Sequence, residues 1–64
     1  MKEIYSIKEI SNYLQISISM TRKLVREKRI PYFKIGNRIK FNIKEINKWV
    51  LNKQEKESIY SLFS

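Results

Sequence analysis

Apolar residues near the start of the chain fall at helical spacing: Ile7, Ile10 and Leu14 recur three and four residues apart and predict one buried helix face. Ser6-Ile7-Lys8-Glu9 has the form of a capping box, in which a hydroxyl accepts from an early helix amide and a glutamate reaches back. A first helix is therefore expected from about Ile7 to Gln15. After a break of about three residues, Ser17 is a second N-cap candidate, and a helix is expected from about Ile18 to Lys28 with Leu24 and Val25 turned inward. Ile30-Pro31 is read as its end, because proline lacks an amide proton and biases its predecessor toward extended backbone.

Beyond Pro31 the period changes from helical to two. Phe33, Ile35, Ile39 and Phe41 alternate with Lys34, Arg38 and Lys40 about a Gly36-Asn37 turn that favours positive φ. This predicts a β-hairpin with one apolar face and one positive face. Asn42-Ile43-Lys44-Glu45 then repeats the capping pattern and opens a third helix carrying Ile46, Trp49 and Val50, with Trp49 as a core anchor. The expected fold class is α+β, mainly α: a winged helix-turn-helix of two N-terminal helices, a two-stranded β-hairpin wing and a C-terminal helix.

A chain of 64 residues predicts one small domain, here without cysteine or histidine, so stability must come from packing instead of disulfides or zinc. Its abundant Ile, Asn and Lys suggest a bacterial gene of AT-rich origin. No apolar run approaches bilayer length and no secretory signal is read, so a cytoplasmic, nucleoid-associated protein is expected. No catalytic or metal site is expected, because His, Cys and Asp are absent and the Glu residues lie mostly outside the basic centre.

Charge sharpens the picture. The net charge of +8 predicts a polyanionic partner. It is concentrated between Arg22 and Lys40, where eight cations face the single acid Glu27, whereas the rest of the chain is nearly balanced. Cations and apolar residues alternating on a hairpin do not suit a membrane-surface helix, and the aromatics do not form an exposed stacking row for RNA. A nucleic acid is the expected partner, double-stranded DNA ahead of RNA.

The strings YSIKEISNYLQIS, SMTRKLVREKRIP, FKIGNRIKF and IKEINKWV, in that order, resemble the excisionase-type helix-turn-helix family and are similar to the DNA-binding domains of MerR-like regulators. The resemblance runs from about Ile4 to Leu51, and the wing string after Ile-Pro is its most specific part. It implies a second helix in the major groove and a hairpin on the flanking backbone or minor groove. Ser17, Ile18, Ser19, Met20, Arg22, Lys23 and Arg26 fall at the positions that face DNA, and Lys34, Asn37, Arg38 and Lys40 fall on the wing. Arg22 and Arg26 are the first candidates for reading guanine, and Arg38 could enter a narrowed minor groove. Three positions depart from the family pattern: Gln15 replaces the usual turn glycine, Ile18 a polar or basic residue and Arg22 an aromatic.

The implied role is that of an excisionase, or recombination directionality factor, of a mobile element, which bends attachment-site DNA beside an integrase and further copies of itself. A small transcription regulator with the same fold is the alternative. No cofactor or small-molecule ligand is expected. Residues 1–52 are expected to form the DNA-binding domain and 53–64 a C-terminal extension, in which Ile59, Tyr60, Leu62 and Phe63 either pack back or contact a protein.

Overall fold

The computed structural model describes residues 2–56, so Ile59, Tyr60, Leu62 and Phe63 lie outside the described residues. Along the chain the elements are β1 (Ile4–Ser6), α1 (Ile7–Leu14), α2 (Ile18–Arg26), β2 (Phe33–Ile35), β3 (Arg38–Asn42) and α3 (Ile43–Lys56). The architecture is α+β and mainly helical, as expected for a winged helix-turn-helix. The hairpin, however, belongs to a three-stranded antiparallel sheet of order β1-β3-β2. β1 escaped the sequence reading because three residues are too few to display a strand period.

Local chemistry starts each helix. The Ser6 hydroxyl accepts from the Glu9 amide at 3.2 Å, and the Glu9 carboxylate accepts from the Ser6 amide at 2.9 Å, completing the capping box. The Lys2 ammonium also donates to Glu9 and is the main reason its carboxyl falls from 4.5 to about 2, aided by the Ser6 amide. Ser17 caps α2 by accepting from the Met20 amide at 3.0 Å. Asn42 accepts from the Lys44 amide at 2.9 Å at the start of α3.

The helix ends are less conventional. Gln15 has φ 59° and Lys28 φ 56°, both left-handed, where glycine is the usual occupant. At each, two backbone bonds close the end: Gln15 N–H to Asn12 O and Ile16 N–H to Ser11 O, then Lys28 N–H to Val25 O and Arg29 N–H to Leu24 O. These paired closures form Schellman motifs. The second helix consequently stops at Arg26, short of the expected Lys28, and Pro31 follows an end already made.

Ile10, Leu24, Val25, Ile30, Phe41 and Ile46 form the buried core, with Ile7, Leu14, Ile39, Trp49 and Val50 packed around it. Two hydroxyls share that interior. Ser11 Oγ donates to Ile7 O at 2.7 Å and lies 2.6 Å from Thr21 Oγ1. Thr21 Oγ1 in turn donates to Ser17 O at 3.2 Å, so each hydroxyl has a carbonyl of its own helix within reach and either can supply the proton between them. This link ties α1 to α2 at the centre of the two-helix unit.

The hairpin register corrects the expectation of one apolar and one positive face. Phe33 lies opposite Lys40, Lys34 opposite Ile39 and Ile35 opposite Arg38. Directly opposed residues project from the same face. A two-residue turn therefore places Phe33, Ile35, Arg38 and Lys40 together on the outer face, and Lys34, Ile39 and Phe41 together on the core-facing side. Phe33 and Ile35 are accordingly exposed, Ile35 to 57%. In the turn only Gly36 has a positive φ, 61°, as a Gly-first two-residue turn requires, so Asn37 does not share that conformation.

Candidate nucleic-acid interface

With Thr21, Leu24 and Val25 buried, α2 turns a continuous polar face outward. Ser17, Ser19, Arg22, Lys23 and Arg26 are exposed on it, and Ile18 is 41% exposed. Met20 departs from the group, since it is half-buried and packs against the core. Ser17 already spends an acceptor position on its helix cap but keeps a hydroxyl proton to donate.

The wing residues separate by face. Lys34 projects on the same side as Ile39, toward α2, whereas Arg38 and Lys40 project from the opposite side beside Ile35 and Phe33. Lys34, Asn37 and Arg38 are exposed and Lys40 is half-buried. The four wing candidates therefore do not form one surface.

Between α2 and the hairpin runs a groove of about 450 Å³. Arg22, Arg26, Lys28 and Lys34 line it, over a floor of Ile7, Val25, Tyr32 and Ile39. The cations come from three sources: the outer face of α2, its left-handed exit and the first wing strand. No carboxylate lines the groove among the described residues. Glu27, the one acid in the basic segment, instead lies 3.5 Å from the Arg29 guanidinium. The apolar floor lowers the local dielectric and concentrates the field of the four cations, so the groove is strongly attractive to an anion.

Lys28 and Tyr32 were not singled out as site residues from the sequence. Lys28 was visible there as one of the clustered cations, but its place on the groove depends on a left-handed helix exit that a lysine does not announce. Tyr32 carried no signal beyond following Pro31. Among the described residues no group of His, Cys, Asp or Glu could hold a metal ion, and no helix is long and apolar enough to cross a membrane.

No curated protein and no solved structure matches the chain. Residues 4–54, from β1 into α3, match the family model described as a helix-turn-helix domain. The two capped helices, the turn between them and the cationic face of the second thus have a common explanation: the chain belongs to the helix-turn-helix domain family and is a sequence-specific DNA-binding protein.

Proposed function

We propose that this chain is an excisionase-type recombination directionality factor of a bacterial mobile element, acting in the cytoplasm at the nucleoid. The observation that carries its DNA engagement is the unbroken cationic lining of the groove between α2 and the wing. On this reading α2 enters the major groove, its outward side chains read base edges, and the wing rests on the neighbouring backbone. On the same reading the turn-proximal Arg38 follows a narrow minor groove.

The recombination role is supported by the resemblance of the FKIGNRIKF wing string and the elements around it to excisionases. One module covers a short site, so selectivity on this reading comes from several copies on adjacent repeats, with an integrase beside them. Ile59, Tyr60, Leu62 and Phe63 are the proposed contact for that second copy or integrase. No cofactor is required.

Footprinting across the ends of the mobile element that encodes the protein tests this role. Protection of repeated sites at the attachment ends, with bending by circular permutation and stimulation of integrase-dependent excision, is the expected result. Protection confined to a promoter, with no effect on excision, would instead assign the protein to transcription regulation.

A further inference from the structure

The groove between α2 and the hairpin changes which residues should read DNA. An α-helix advances about 100° per residue. With Thr21, Leu24 and Val25 facing the core, the direction straight away from it is taken by Ser19, Lys23 and Arg26. Arg22 lies farther round, on the flank shared with Val25, and lines the groove with Lys28 and Lys34. Its position is lateral instead of forward.

We propose that this groove seats the phosphodiester backbone of one DNA strand, that Arg22, Lys28 and Lys34 hold it there, and that base reading falls to Ser19 and Lys23. Arg26 stands between the two groups, facing outward at the edge of the groove. The proposal rests on the DNA-binding reading above and deepens it, replacing Arg22 as a base reader with a backbone role.

The chemistry of the lining supports a phosphate occupant. Arg22 offers a planar fork that matches phosphate oxygens, and the two ammonium groups supply point charges from the other walls. Tyr32 adds a hydroxyl that can donate to a phosphate oxygen. Among the described residues no salt bridge engages Arg22, Arg26, Lys28 or Lys34, a state they share with Lys8, Lys23, Arg38, Lys40 and Lys48, whereas Lys2, Lys44 and Arg29 each have a carboxylate partner. Geometry points the same way. A helix lying in the major groove has a backbone strand along its flank, and a wing beyond that flank leaves the strand between helix and wing. That is the location of the groove.

The test uses a short duplex selected by the wild-type chain from a randomised pool, together with a random-sequence duplex, measured by fluorescence anisotropy over a salt series. Arg22→Gln, Lys28→Gln and Lys34→Gln are each expected to weaken both duplexes by the same factor, about tenfold, and to reduce the log-log salt slope by about 0.9. Lys23→Gln is expected to weaken the selected duplex at least about tenfold more than the random one. Circular dichroism checks folding, and Lys28→Arg should restore both affinity and slope.

An Arg22→Gln variant that loses only the selected duplex, with its random-DNA slope intact, would return Arg22 to base reading and overturn the proposal. Unchanged slopes in Lys28→Gln and Lys34→Gln would overturn it as well, while leaving DNA binding by the chain in place. Preference of the wild type for poly-glutamate over either duplex would replace phosphate by an acidic peptide as occupant. A wild type that selects no duplex from the pool and does not bind the random one would remove the DNA reading itself, which separates that failure from failure of the groove alone.

Discussion

Two groups of cations in this protein treat charge in opposite ways. On the side built from the N-terminal segment and the start of α3, Lys2 is bonded to Glu9 and Lys44 lies 3.2 Å from Glu3. Along the groove between α2 and the wing, Arg22, Arg26, Lys28 and Lys34 stand together without a carboxylate among the described residues. The paired cations neutralise exposed carboxylates, at the first turn of α1 and beside the first turn of α3. Unpaired ones repel each other in the free protein, a cost that salt screens and a bound anion removes. On the proposed reading, the contrast separates cations already satisfied within the fold from cations available to DNA.

The largest expected effect follows directly. Replacing Arg22 and Lys34 together by glutamine should reduce affinity for a random duplex by about 100-fold, since each removes one phosphate contact worth roughly tenfold. Replacing Lys2 and Lys44 together should change it by less than about twofold, because charges far from the bound strand are screened. Fluorescence anisotropy at low salt distinguishes the two pairs. Equal losses would erase the contrast.

Next in size is a variant that should move stability and binding in opposite directions. Lys28→Gly relieves the left-handed backbone at the exit of α2 and is expected to raise stability by about 0.5 kcal/mol, while lowering DNA affinity by about tenfold. Gln15→Gly relieves the equivalent strain at the exit of α1 and should raise stability alone. Urea denaturation together with anisotropy measures both quantities.

Smaller effects concern the unfolding of the free protein. Lys34→Gln removes a like-charge repulsion and should stabilise the chain by a few tenths of a kcal/mol at low salt, whereas Lys44→Gln loses an exposed ion pair and should destabilise it by a similar amount. Both differences should shrink in high salt. The smallest effect is a pH dependence. Glu9 is more acidic in the folded chain than its ordinary value of 4.5, so its contribution is present above that pH and is lost as pH falls from about 4.5 to about 2. Denaturant midpoints across that range should flatten in Glu9→Gln relative to the wild type.

The sequence reveals helix beginnings better than helix ends. Ser6, Ser17 and Asn42 announce their roles because a side-chain acceptor beside free amides is a local device, and all three accept as their positions suggest. Lys28 announces nothing and Gln15 is marked only through the resemblance, which has glycine at that turn; the left-handed conformation both adopt is closed by paired backbone bonds at each helix end. Ser11 and Thr21 look like surface residues until α1 and α2 meet, when each hydroxyl finds a partner inside.

The candidate site was legible as charge but not as arrangement. The run from Arg22 to Lys40 marked the basic segment. Alternation along each hairpin arm suggested a single positive face, yet a two-residue turn pairs Ile35 with Arg38 and so reverses the parity between arms. Lys34 thereby joins α2, and Arg38 and Lys40 take the other side. Met20, at a DNA-facing position by resemblance, turns partly inward because it completes the apolar packing.

The claim that the unpaired cations of the groove hold DNA phosphate is tested most directly by the salt dependence of binding. Affinity for a random-sequence duplex should be measured from low to moderate salt for the wild type and for a variant with Arg22, Arg26, Lys28 and Lys34 all replaced by glutamine. A log-log slope shallower by roughly 3 to 4 in the variant is the predicted result, near 0.9 for each phosphate released. A folded variant whose slope equals that of the wild type would contradict the account.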